Sequence, residues 1–262
     1  MSRIANAFAS NKAFIGFVTG GDPSIEKSAE FIRAMVNAGV DLVEIGIPFS
    51  DPIAEGKVIQ EANIRALNAG ATIEKLFGLV ESLRDEGGGV SLNIPLVFLT
   101  YLNPVFHYGY ERFFARCQRS GIDGIIIPDL PFEEQGELRD IATANGVDLI
   151  SLIAPTSEER IATIARNAKG FLYIVSSMGV TGERGEIKTD LASIIASVRA
   201  HTALPVAVGF GIHTPEQATD IARLADGVIV GSAIVKLILE HGDKAAVPVA
   251  CYVSTMKAAV HT

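Results

Sequence analysis

Eight short apolar runs, spread along the whole chain and lacking polar alternation, constrain this sequence more than any other feature. They span residues 13–19, 41–47, 94–101, 124–128, 147–153, 171–176, 205–210 and 227–231, each rich in Val, Ile, Leu or Phe. Runs of this length without alternation mark strands buried on both faces, as in a parallel sheet covered by helices. Amphipathic stretches with helical spacing lie between them, at 27–37, 73–86, 111–119, 133–144, 157–167, 190–200 and 215–224. In the first, Phe31, Ile32, Met35 and Val36 share one side and Lys27, Glu30 and Arg33 the other. Asp22-Pro23-Ser24, Thr156-Ser157-Glu158 and Thr214-Pro215-Glu216 supply helix-start signals. The regular βα rhythm predicts an α/β chain forming a single (β/α)8 TIM barrel over 1–262, with a doubly wound open sheet as the alternative. The first βα turn, Thr19-Gly20-Gly21-Asp22-Pro23, lacks the G-x-G-x-x-G spacing of a dinucleotide fold.

One interval breaks the rhythm. The second and third strands begin at Asp41 and Ile94, about twice the spacing of most other neighbours, and the excess is a loop plus an extra helix at 60–68. A long insertion at the C-terminal end of a barrel strand lies where barrel enzymes place their active sites, so a functional loop is expected. At the other end, residues 3–9 are read as a short helix plugging the barrel floor.

Composition narrows the partners. The charge is −8, from 22 Lys+Arg against 30 Asp+Glu, which argues against a nucleic-acid binder. No apolar run reaches the ~18 residues of a membrane span. Asn11 and Lys12 interrupt the only apolar stretch near the N-terminus, so no secretory signal is expected. Cys117 and Cys251 lie far apart without metal-type spacing and read as buried free thiols of a cytoplasmic protein. The five histidines form no ligand pair, so no metal site is expected.

Candidate chemistry gathers at the strand tips. Glu44 sits between Val43 and Ile45 in an apolar strand, where a carboxylate is either paired with a basic group from a loop or functional. Desolvation there would raise its pKa into the range of a general acid/base. In the next loop, Glu55 precedes Gly56 and reads equally as a solvated acid at a helix N-terminus. Glycines after strands seven and eight (Gly209, Gly211, Gly231), with Ser232 opening a helix, suit a phosphate held by backbone amides. A loop after strand six, 176–185, carries three glycines and Thr181, the composition of a mobile lid. Tyr101 and Tyr173 lie among apolar residues, as core tyrosines or as walls of an aromatic-substrate pocket.

These residues also carry a resemblance. The run 42–60, LVEIGIPFSDPIAEGKVIQ, closely resembles the signature of the tryptophan synthase alpha chain family. FIGFVTGGDP at 14–23, TYLNP at 100–104, IPDLP at 127–131, GVTG at 179–182, GFGI at 209–212 and GSAIV at 231–235 are similar to that family in the same order. The resemblance implies retro-aldol cleavage of indole-3-glycerol phosphate to indole and glyceraldehyde 3-phosphate. It implies Glu44 as the general acid/base and Glu55 as the carboxylate facing the indole nitrogen. Phe17, Leu99, Asp129 and Tyr173 match positions around the indole. Thr181, Gly182, Phe210, Gly211, Gly231 and Ser232 match the closing loop and the positions that hold the phosphate. A beta chain is implied as partner in an alpha2beta2 assembly, docking near Asp51, Pro52 and Asn103. Pyridoxal phosphate would belong to that beta chain, and no cofactor to this one.

The sequence departs from the family pattern in the catalytic loop. The family carries Ala-Asp-Gly-Pro, and here the loop reads Ala54-Glu55-Gly56-Lys57. The glutamate is one methylene longer, and Lys57 offers a cation that could pair with it. An alpha-like subunit that mainly binds and regulates a beta chain is therefore the rival reading. Another phosphate-binding barrel isomerase stands third.

Overall fold

The computed structural model describes residues 2–9, 12–85, 92–175, 190–209 and 211–261. Among these, eight parallel strands close into a barrel in chain order. They are β1 (Ala13–Thr19), β2 (Leu42–Gly46), β3 (Leu96–Leu99), β4 (Gly124–Ile126), β5 (Asp148–Ile153), β6 (Leu172–Val175), β7 (Val206–Gly209) and β8 (Gly227–Val230). β8 pairs with β1 and completes the ring. The expected barrel is borne out, with the short N-terminal helix α1 (Arg3–Ala7) and the extra helix α3 (Lys57–Asn68) after β2. The other helices between strands are α2 (Ile25–Asn37), α4 (Ile73–Arg84), α5 (Leu102–Tyr108), α6 (Tyr110–Ser120), α7 (Gly136–Ala144), α8 (Glu158–Asn167), α9 (Leu191–Arg199) and α10 (Pro215–Ala222). After β8 come α11 (Ser232–His241) and α12 (Ala246–Val260).

Helix starts follow the signals in the sequence. Ser24 accepts from Lys27 N at 3.2 Å, and Thr214 with Gln217 forms a capping box that has Pro215 at the first turn. Two apolar layers result. Inside the barrel, Ala13, Ile15, Leu42, Val97, Ile126, Ile150, Phe171, Ala207 and Ile229 pack together, and Ile4 of α1 joins them with Phe8 against the floor. Outside it, alternate strand residues such as Val43, Ile45 and Phe98 meet Phe31, Leu76, Phe77 and Phe113 of the helices.

Three elements differ from the sequence reading. β3 covers Leu96–Leu99 rather than 94–101, because the chain turns at Tyr101 into α5. Pro104 lies in the first turn of α5, where a missing N–H costs nothing, so its sequence reads as a loop while folding as a helix. The stretch at 133–144 opens with a separate 3-10 turn, Phe132–Glu134, before α7. α12 was not anticipated, because its apolar residues spread around its circumference: Val249, Val253 and Met256 are buried while Val247 is exposed. On α12, Cys251 is exposed, which corrects the expectation of two buried thiols; Cys117 on α6 is buried, and both are free.

The barrel floor is tied by three aspartates, each immediately before a strand. Asp41 accepts Phe14 N at 2.6 Å, Asp123 accepts Leu96 N at 2.9 Å, and Asp226 accepts Val206 N at 3.0 Å. Each completes a backbone bond that the ladder leaves open at its lower rim. Each is also neutralised from outside: Asp41 by Lys257 of α12, Asp123 by Arg3 and Arg84 at 2.7 Å each, and Asp226 by Arg199 at 3.1 Å. Arg84 also donates to the carbonyls of Gly121 and Ile94. Asp123→Ala should therefore destabilise the fold by roughly 3 kcal/mol, the cost of stranding a partly buried cation, read as a lower urea midpoint. The active mouth lies at the opposite end, so turnover of the folded fraction should stay unchanged.

Candidate active site

The C-terminal mouth of the barrel holds a cavity that opens to solvent. The strand register builds its floor. Glu44 stands between Phe17 of β1 and Val97 of β3, and it shares its face of β2 with Leu42 of the interior layer. Its side chain therefore points inward beneath the cavity, where it is 1% exposed. Among the described residues Glu44 Oε1 has no hydrogen-bond partner. The paired alternative of the sequence reading is not what the described residues show. Burial alone pushes the Glu44 carboxyl up from 4.5 to about 8.

The loop after β2 brings the second acid over this floor. Tyr101, where β3 gives way to α5, accepts Ala54 N at 3.1 Å, and its ring lies 5.4 Å from Phe49. Gln60 of α3 donates to the Glu55 carbonyl at 2.7 Å. Glu55 lines the cavity and is 7% exposed, so it is not a solvated helix-start acid. Burial pushes its carboxyl up to about 7, against hydrogen bonds from Asn63, at 2.6 Å to Oε2, and from Tyr101. Lys57 does not pair with it. It is 87% exposed, with Nζ 3.7 Å from Glu61.

Around the two acids the walls are apolar. Phe17, Leu99, Tyr101 and Tyr173 line the cavity as expected, together with Ile59, Leu152 and Ile229, which the sequence reading missed. The Tyr173 phenol stays neutral well above its ordinary range, first through burial and then through Glu44. It reaches its position because β7 ends in glycine: a Cβ at Gly209 would come within 2.3 Å of the Tyr173 hydroxyl. In the same way a Cβ at Gly46 would meet the Phe17 ring at 2.7 Å. Gly209, read as a phosphate-loop residue, and Gly46 both make room for aromatic rings.

Gly211, Gly231 and Ser232 form the far wall. Gly211 has φ +86, in the left-handed region, and Ser232 begins α11, so the helix N-terminus with its free N–H groups faces the cavity. Thr181, Gly182 and Phe210 lie outside the described residues, as does the lid read at 176–185.

Beyond β4, Pro128 lines the cavity. The carboxylate of its neighbour Asp129 accepts Leu102 N at 2.9 Å, at the start of α5. Asp51 is exposed on the loop after β2 and Asn103 in the first turn of α5, Pro52 is half-buried, and neighbouring Ile53 and Phe106 expose large apolar side chains.

A family model described as the tryptophan synthase alpha chain matches residues 4–261. The chain belongs to this family. It is similar to the tryptophan synthase alpha chain of Lactiplantibacillus plantarum, at 51% identity over 248 residues, covering 94% of this chain and 92% of that one. Its fold is similar to tryptophan synthase subunit alpha of Legionella pneumophila, with a TM-score of 0.89 at 34% identity over 99% and 98% of the two chains. A chain of the tryptophan synthase complex from Pyrococcus furiosus is similar at a TM-score of 0.84 and 34% identity, over 94% and 98%.

The buried acid of this alpha-chain barrel has a thermodynamic consequence. The folded protein holds the Glu44 proton up to about pH 8, whereas the unfolded chain releases it near 4.5. The native state binds more protons across that window, so this group makes stability fall as pH rises through it. Glu44→Gln should therefore raise the melting temperature at pH 8 relative to the parent, with little difference at pH 4, measured by thermal denaturation at both pH values.

Proposed function

We propose that this chain cleaves indole-3-glycerol phosphate to indole and glyceraldehyde 3-phosphate, and that Glu44 and Glu55 divide the charge work. One observation carries the reading: two buried carboxylates with raised pKa values share an apolar, aromatic-walled cavity whose far side is a glycine-lined helix N-terminus. A planar heteroaromatic fits the apolar half, and a phosphate fits the N-terminus of α11 beside Gly211, Gly231 and Ser232.

The reaction needs a proton delivered to indole C3, a cation tolerated at N1, and a proton removed from the glycerol hydroxyl on the adjacent carbon. Protonated Glu44 delivers the first. Ionised Glu55 faces the indoleninium nitrogen and stabilises its charge. The Glu44 carboxylate then accepts the hydroxyl proton as the C3–C1′ bond breaks, its electron pair returning to the ring. Indole and the aldehyde form, and Glu44 recovers its starting state. Burial serves both roles, since an acid with an ordinary pKa would have no proton to give at neutral pH.

Assembly with a beta chain is part of the proposal. The exposed Ile53 and Phe106, beside Asp51, Pro52 and Asn103, offer an apolar docking face for an alpha2beta2 complex. Pyridoxal phosphate belongs to that partner. We place the enzyme in the cytoplasm; among the described residues no helix is long and apolar enough to cross a membrane.

The decisive experiment is indole release from indole-3-glycerol phosphate by the purified chain, with and without a beta chain. Glu44→Gln should lower kcat by about 10²–10⁴-fold, and Glu55→Ala should lower it comparably, with both variants folded. If either retains near-parent turnover, that residue leaves the mechanism; if the parent itself releases no indole in either condition, the regulatory-subunit reading replaces this one. The pH dependence follows from the two acids. Glu55 must be ionised, which favours activity above about 7, and Glu44 must be protonated, which favours it below about 8. The kcat/KM profile should be a narrow bell with its maximum between these limits; a flat profile from pH 6 to 9 would contradict the assignment.

A further inference from the structure

Helix α3 holds Glu55 through two uncharged side chains. Gln60 fixes the Glu55 backbone carbonyl, and Asn63 Nδ2 donates to Glu55 Oε2 at 2.6 Å. Asn63 is 2% exposed. It lies one turn beyond cavity-lining Ile59, on the face of α3 that otherwise buries Ile59, Ala62 and Ala66. An amide on an apolar helix face is costly unless its polar atoms are bonded, and here the carboxylate is what it bonds.

We propose that Asn63 is the positioning residue for Glu55: its carboxamide anchors one carboxylate oxygen in the cavity wall and so decides where the longer glutamate side chain ends. The proposal rests on the reading of Glu55 as the carboxylate that faces the indole nitrogen. A glutamate has one more torsion than an aspartate, and an unanchored one spreads over several rotamers. The bond to Asn63, with the Tyr101 hydroxyl, removes that freedom at a residue whose placement must hold to within about 1 Å.

The chemistry of the anchor suits the task. A carboxamide serves an ionised acid by donating through its N–H, as Asn63 does here, and adds no charge of its own. A Lys or Arg in its place would neutralise the charge needed at the substrate. The nearest cation in sequence, Lys57, is turned outward to Glu61. The other groups facing Glu55 are Tyr101 at the start of α5, Glu44 from β2 and Tyr173 from β6, with Asp129 acting on Tyr101 from beyond β4. Among these described groups none is a cation, so Asn63 and Tyr101 are what favour the ionised form against burial.

Asn63→Leu keeps the branched outline, with somewhat greater volume, and removes the donor. The expected result is a kcat about ten- to a hundredfold lower, the range to which one charge-assisted hydrogen bond converts, with KM changed by less than about threefold. The acidic limb of the pH profile should move to higher pH, because burial then acts on Glu55 with Tyr101 alone opposing it. Asn63→Gln, which retains the amide, should recover part of kcat and return the limb toward its original position. Glu55→Ala is measured alongside. If Glu55→Ala leaves turnover intact, the underlying reading of Glu55 fails. If Glu55→Ala abolishes turnover while Asn63→Leu leaves both kcat and the limb in place, Glu55 stands and the role of Asn63 is overturned. Equal losses in Asn63→Leu and Asn63→Gln with an unmoved limb also overturn it. Urea denaturation checks each fold; if Asn63→Leu does not fold, Asn63→Ser takes its place in the same comparison with the same deciding outcomes.

Discussion

The register of β2 between β1 and β3 is the constraint on which the site depends. With Phe17 beside Glu44 on one side and Val97 on the other, every second residue of β2 enters the barrel. A slip of one residue would turn Glu44 out into the layer of helices, where Phe31, Leu76 and Phe77 leave no room for a charge. The same register sets Gly46 against the Phe17 ring and leaves the strand tip open above the acid. The cavity is thus a property of strand pairing, which the aspartates at the floor hold from the other end.

Two acids in one apolar cavity must differ in what holds them. Glu44 belongs to a strand, has burial as its sole perturbing influence, and keeps its proton to higher pH. Glu55 belongs to a loop, is steadied by a helix amide and a phenol, and releases its proton first. Environment therefore favours one proton-bearing carboxyl beside one carboxylate between about pH 7 and 8, and like-charge repulsion between them is reduced. The separation rests on neutral donors, which leave the field of the carboxylate available to a ligand.

How much of this was legible follows from which residues speak through local pattern. Strands buried on both faces announce themselves by composition, and a glutamate among valine and isoleucine is conspicuous, so the barrel and Glu44 were readable. Glu55 was ambiguous because it stands in a loop at a helix start; Tyr101, which helps to bury it, lies 46 positions away beyond another strand tip. The bond that Asp129 accepts was hidden for the same reason, since its donor is the first N–H of a helix that Pro104 concealed. Gly209 showed no sign that it clears space for Tyr173, because that contact forms only when β6 and β7 pair. Asn63 did leave a trace: it is the one amide on the buried stripe of α3. A polar residue on an apolar helix face signals a partner, though not which one.

The barrel floor has a bearing on the order in which the molecule assembles. Ile4 and Phe8, ahead of β1, lie within the base of the closed ring, and Phe8 sits against Gly227 of the last strand. This segment precedes every strand in the chain, yet it finds its seat only after the final strand has joined β1. Until then the plug has no socket, and Asp41 lacks Lys257, which arrives later still on α12. Emergence and settlement run in opposite directions along this polypeptide, and ring closure is the event that reconciles them.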